Sequence, residues 1–260
     1  MDSNHPLEFL YRLEGTTITI PQFSENGEPM PSQTWAIANK LSENPFQVTQ
    51  ELVDKGMGPS STVAKFNCHS VDAPENLAYM RVYCQVPMVG TEFFSTRARG
   101  EQAVPEPRNR ELEALKAFKR KNCTAVPRLL DYYEGVQDQE GFVPGGYVTY
   151  LIWEKVPGHC LSDEEYWNMN PDERASIRSM FREAWEELAP CGYEPSMMDL
   201  SAIIYDKDKG KVQICGFSRV SIIPPGEEVW SDVVYTVYGL VKPKGLYEDG
   251  WWKNLDNWYW

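Results

Sequence analysis

The sequence predicts an α+β chain in which an antiparallel sheet is followed by helices. Three observations carry this: five alternating or β-branched segments lie between residues 45 and 156, helix-start signatures follow at Ser162 and Asn170, and a strand-turn-strand pattern falls inside 192–220.

Taken in order, residues 1–44 hold short apolar pieces, TTITI and WAIA, among turn-rich segments such as NGEPMPS. They are expected to form an N-terminal extension. Residues 46–53 (FQVTQELV) alternate as a strand does, the turn DKGMGPSS follows, and 62–70 (TVAKFNCHS) and 76–86 (NLAYMRVYCQV) complete an antiparallel meander. Residues 89–107 are polar and broken by Gly and Pro. A helix is predicted over about 108–121, where Glu111, Leu112, Leu115 and Phe118 recur at three- and four-residue steps. Residues 126–135 and 145–158 read as two more strands, which makes five around one helix.

From residue 157 the pattern turns helical. Ser162 with Glu165 forms a capping box, and Asn170, Pro171 and Glu173 supply an N-cap, a first-turn proline and an N3 acid. The second helix carries Ile177, Met180, Phe181, Ala184, Trp185 and Leu188 on one face and ends near Gly192. Two strands, 202–206 and 212–217, flank the turn KDKGK, and Asp206 and Asp208 of this hairpin turn are expected as solvated charge. Residues 227–241 fit a helix or a strand. Trp251, Trp252, Trp258, Tyr259 and Trp260 form an aromatic tail expected to pack back on the body, with an interaction surface as the alternative.

Composition excludes several classes. A net charge of -13, with Lys and Arg clustered only at 116–121, argues against a nucleic-acid partner. No apolar window is long enough to span a bilayer and the first thirty residues are rich in charge, so a cytoplasmic chain with no membrane partner is expected. The six cysteines contain no CxxC pair and are read as reduced thiols. His5, His69 and His159 stand far apart in the sequence, so no metal site is expected.

Over residues 45–220 a glycine turn, a strand, a helix bearing a glutamate, the strand LIWEKVPG and a late hairpin arrive in that order. With the phrases NRELEALKAF and VPRLLDYYE, this succession resembles the protein-kinase-like superfamily, its small-molecule or aminoglycoside phosphotransferase branch most of all. The resemblance spans about two-thirds of the chain. It implies two lobes: a five-stranded antiparallel small lobe at 45–156 and a reduced helical large lobe at 157–260 that includes the aromatic tail.

The resemblance also assigns residues. The family's glycine-rich turn is matched by Gly56 and Gly58, with Ser61 in place of the third glycine. The place of the phosphate-pairing lysine falls to Arg81, with Glu111 as its expected partner and Glu113 as second choice. Lys65 is the poorer placement, since it leaves no strand between the glycine turn and the cation. Trp153 and Glu154 occupy the hinge, and with Gly56, Gly58, Arg81 and Glu111 they make the expected ligand pocket. Aligned without a gap, the family's histidine becomes Pro195, its catalytic aspartate Met197, its metal-holding asparagine Ala202 and its metal-binding aspartate Gly216. Deleting three loop residues instead sets Asp199 at the catalytic aspartate, while its plain reading is a turn or cap residue.

Metal-dependent phosphoryl transfer needs oxygen ligands at the altered places. The implied protein is therefore a catalytically degenerate, pseudokinase-type module that binds a small molecule or a protein partner, with no ATP or Mg2+ cofactor expected. The alternatives are a kinase-fold enzyme whose repurposed cleft acts on a small molecule, and a divergent phosphotransferase using Asp199.

Overall fold

The computed structural model describes residues 8–23, 28–226, 229–244 and 258–260, the side chain of Phe23 excepted. The chain divides into two compact units. One comprises the residues up to Asn109 together with Leu129–Lys155, the other Arg110–Arg128 together with the residues from Val156. The whole is a mixed α and β chain with one large antiparallel sheet. Among the described residues no helix is long and apolar enough to cross a membrane.

The first unit is built on six strands, β1 (Thr17–Phe23), β2 (Pro29–Phe46), β3 (Ser61–Ser70), β4 (Leu77–Gln85), β5 (Leu129–Val136) and β6 (Tyr147–Glu154), in the order β1-β2-β3-β4-β6-β5. The expected five strands are thus six, and the segment read as an extension supplies all of β1 and most of β2. The short apolar pieces suffice because only one face of each strand is buried, and from them the core takes Ile20, Trp35 and Ile37 as buried members with Ile18 packed against it. The strand expected at 46–53 is also corrected. Phe46 closes β2, and Gln50–Asp54 is a short helix, α1, since Gln, Glu and Leu beyond the extended Thr49 favour helix over strand.

Strands β3 and β4 show the alternation that decides register. Ala64, Phe66 and Cys68 on β3 and Ala78, Met80 and Val82 on β4 are buried, while the residues between them are partly exposed. The buried set joins Phe9 and Leu10, at the start of a 3-10 turn (Leu10–Leu13), in one core cluster.

Two carboxylates hold this unit together. Asp131 on β5, at one edge of the sheet, accepts from Gln22 Nε2 of β1 at 2.7 Å and from Trp35 Nε1 of β2 at 2.9 Å, at the opposite edge. The sheet must therefore curl until its two edges meet. Glu43 lies just past register shifts in β2 between Ile37 and Ser42, which turn its side chain inward. It accepts from the backbone N–H groups of Phe9 and Leu10, from Thr62 Oγ1 and from Lys40 Nζ, and only 1% of the side chain is exposed.

Between β4 and β5 lie a short helix α2 (Thr96–Gly100), capped by Ser95, and α3 (Arg110–Arg120). The latter belongs to the second unit, which continues with β7 (His159–Cys160), α4 (Asp163–Asn168), α5 (Pro171–Leu188) and β8 (Tyr193–Pro195). A 3-10 turn (Leu200–Ala202) leads to β9 (Ile203–Asp206) and β10 (Lys211–Ile214), then β11 (Val220–Ile222), α6 (Val233–Val237), β12 (Lys242–Pro243) and β13 (Trp258–Tyr259). Helix starts follow the caps read from sequence, as Ser162 accepts from Glu165 N–H and Asn170 from Glu173 N–H. Strands pair as β10-β9-β7 and as β11-β8.

Helix α5 buries Ile177, Phe181, Ala184, Trp185 and Leu188, and also Arg178, whose Nη1 donates to Tyr166 Oη at 3.1 Å. Phe118 of α3 packs on Phe217, centroids 4.8 Å apart. At the tail Trp258 is buried and Trp260 lies beneath the Arg178 guanidinium, 5.5 Å from ring centroid to Cζ. Trp251 and Trp252 lie outside the described residues.

Removing the acceptor that joins the sheet edges, with Asp131→Ala, leaves the Trp35 indole N–H buried without a partner and is expected to cost about 2–3 kcal/mol, read as a lower urea midpoint at unchanged slope. At Glu43 burial raises the carboxyl pKa but the donated hydrogen bonds outweigh it, so the net value falls below the ordinary 4.5. Its contribution is complete above pH 4.5 and is lost as pH falls through the lower folded value. Lys40 is shifted up from 10.5, its partners Glu8 and Glu43 outweighing burial, so its share is complete below that pH and is lost as pH rises through the higher folded value. Glu43→Gln should cost about 3 kcal/mol near neutrality and flatten the acid limb of a stability-versus-pH curve.

Candidate functional site

In the first unit, β3, β4 and β6 place side chains of one face in register: Lys65 is opposite Arg81, and Asn67, Tyr79 and Trp153 run across the three strands. This face carries Arg81 and Trp153 of the expected pocket. Arg81 Cζ lies 5.0 Å from the Trp153 centroid, and Lys65 Nζ lies 3.9 Å from that of Tyr79. Lys155 Nζ is 5.1 Å from the same Tyr79 ring and 3.1 Å from Asn67 Oδ1. Three cations thus rest on two aromatic faces, each contact worth about 0.5–2 kcal/mol according to its exposure. In a chain of net charge -13 this is a local concentration of positive charge.

Lys65, Tyr79 and Lys155 were not assigned to the pocket from the sequence. The signal that finds them is the period of two: Lys65 and Asn67 on one strand, Tyr79 and Arg81 on the next, share the face of Trp153. Glu154 stands opposite Ala78 at the end of β6. Glu111, the expected partner of Arg81, is buried in the first turn of α3 and belongs to the other unit.

The two glycines lie elsewhere. Gly56 follows α1 with φ +86°, a left-handed turn that favours glycine, and a Cβ there would meet nothing within 4 Å. Gly58 lines a cavity of about 660 Å3 with Val53, Met57, Val86, Met88 and Pro105, and neither Arg81 nor Trp153 lines it. The amides in its wall already serve the fold, since Gln85 Oε1 accepts from Val104 N–H and Gln102 Oε1 from Met88 N–H. The glycine motif and the cation–aromatic face are therefore separate features of this unit.

In the second unit the hairpin draws together three positions far apart in sequence. Gly216 has φ +90°, and a Cβ built there would stand 3.7 Å from the Cβ atoms of both Ala202 and Pro195. Cys215 N–H donates to Ala202 O at 2.8 Å, which fixes the approach. What meets there is a methyl, a pyrrolidine ring and a bare Cα, with no side-chain oxygen to ligate a cation. Among the described residues no three His, Cys, Asp or Glu side chains are placed to hold a metal ion.

Asp199 is the N-cap of the turn Leu200–Ala202, its Oδ1 accepting from Ser201 N–H at 2.8 Å and from the Ser201 hydroxyl at 2.5 Å. Met197 is 60% exposed. Asp206, expected as solvated charge, is buried instead and accepts from Lys209 N–H, because the tight hairpin leaves that backbone donor to be satisfied locally.

Asp199→Ala deletes the cap and is expected to lower stability by about 1 kcal/mol, whereas Asp199→Asn, which keeps an acceptor oxygen, should stay near the parent. Melting temperatures of the two variants check this.

No family model matches the chain, and no curated protein matches it. Among solved structures, the kinase PK-1 of Cydia pomonella granulovirus is similar at 13% identity and a TM-score of 0.42, over 72% of this chain. The match takes in 52% of that kinase, so the chain spans about half its length.

Proposed function

We propose that the chain is a kinase-like scaffold that has lost metal-dependent phosphoryl transfer and serves as a pseudokinase-type module, binding a small molecule or a protein partner. The observation that carries this reading is the convergence of Pro195, Ala202 and Gly216. They are the positions that the resemblance gives to a histidine, a metal-holding asparagine and a metal-binding aspartate. That they meet in space supports the gapless alignment, and that they meet as hydrocarbon supports the loss of the metal. Phosphoryl transfer depends on cations neutralising charge on the transferred oxygens, and cations of that kind require oxygen ligands.

The layout of the first unit adds support. Without β1, the order β2-β3-β4-β6-β5 is a meander followed by a hairpin, with α3 between β4 and β5 in the chain, as the small-lobe reading requires. Arg81 resting on Trp153 suits an altered ligand face better than a phosphate clamp, because a guanidinium over an indole is held by the ring as well as by charge. The cap made by Asp199 gives that residue a role in folding and counts against its use as a proton acceptor.

A melting-temperature series with ATP alone, Mg2+ alone and the two together tests the proposal, since a ligand of the folded state raises the transition. Mg2+ is expected to add nothing to any shift produced by nucleotide. Mg2+-dependent ATP turnover that Asp199→Asn abolishes would overturn it.

A further inference from the structure

We propose that Cys160 and Cys215 are a redox-modifiable dithiol that closes to a reversible disulfide across β9. Their Sγ atoms lie 3.7 Å apart. Cys160 ends β7 opposite Ile204 of β9, while Cys215 follows the last pair of the β9–β10 ladder, Ile203 with Ile214. The two thiols therefore approach over the central strand from either side. Cys160 is exposed and Cys215 partly so, which gives a small soluble oxidant access.

Closing the pair to a disulfide of about 2.05 Å requires the sulfurs to draw together by less than 2 Å or so. The Cys160 end can yield, since strand β7 is two exposed residues long, while Cys215 is held by its N–H bond to Ala202 O beside the left-handed Gly216. Another pair, Cys123 and Cys191, is also close enough for a thiol hydrogen bond, but burial pushes the Cys123 thiol up to about 12. Cys68 and Cys84 are buried in the core of the first unit. Cys160 is the most exposed of these thiols, so oxidation begins there.

With oxidised glutathione as oxidant, the Cys160 thiol gives up its proton and its sulfur attacks one sulfur of the glutathione disulfide, releasing one glutathione thiolate. The Cys215 thiolate then attacks Cys160 Sγ, the new S–S bond forms, and the second glutathione leaves. Two protein thiols lose two electrons and two protons, and one glutathione disulfide becomes two thiols.

The test uses the full chain incubated with oxidised glutathione, alkylated, digested and mapped by mass spectrometry. The expected product is one joined pair of peptides containing Cys160 and Cys215, lighter by two hydrogens than the separate peptides and parted by dithiothreitol. Cys160→Ser should abolish the joined pair while leaving the circular dichroism spectrum unchanged. Full alkylation of both thiols, a separate glutathione on each, or a bridge confined to Cys123 and Cys191 would overturn the proposal.

Discussion

The first unit depends on one carboxylate that joins the two edges of its sheet. Asp131 takes hydrogen bonds from Gln22 and Trp35, strands apart in the sheet order yet adjacent in space. An antiparallel sheet can leave one face in water, but curling it wraps the buried face around its own side chains. Ile20, Phe66, Met80 and Ile152 are thereby sealed by the sheet and by the turn at Phe9 and Leu10. Glu43 repeats the device at the other end of β2, tying that turn to the strand through two backbone N–H groups. Both carboxylates are affordable inside because each is surrounded by donors.

In the second unit the hairpin of β9 and β10 brings residue 216 against residues 195 and 202, through the bond from Cys215 N–H to Ala202 O. The backbone sets which positions meet, and the side chains set what happens there. Those positions meet as a methyl, a pyrrolidine ring and a bare Cα, and the neighbouring Cys215 carries one thiol of the Cys160–Cys215 pair.

Strands β3 to β6 and helices α3 to α5 were legible because burial on one face imposes a period of two on β3 and β4 and a three- to four-residue step on α3 and α5, whereas short pieces such as α2, β7, β8 and β11 are too brief to show a period. Caps were legible because Ser162 and Asn170 satisfy donors only a few residues away. What escaped was non-local. Nothing near Trp35 announces that its indole N–H will find Asp131, ninety-six residues on. Likewise, the apolar pieces of 17–46 look too sparse for strands until the partners that share their burial are known. The candidate site divides the same way. Arg81 and Trp153, expected from the order of elements, share a sheet face, whereas Lys65, Tyr79 and Lys155 join that face only through cross-strand register.

The curled sheet also bears on how the chain tolerates shortening. A version beginning at residue 45, where the strand pattern first becomes plain in the sequence, would discard β1 and nearly all of β2. Two donors to Asp131 and five core side chains, Phe9, Leu10, Ile20, Trp35 and Ile37, would go with that segment. Strand β3 would become an open edge, its unpaired N–H and C=O groups offering a template to any neighbouring copy. Such a fragment should fail by self-association rather than by simple unfolding, because the lost strands are what keep the remaining sheet from continuing into the next molecule.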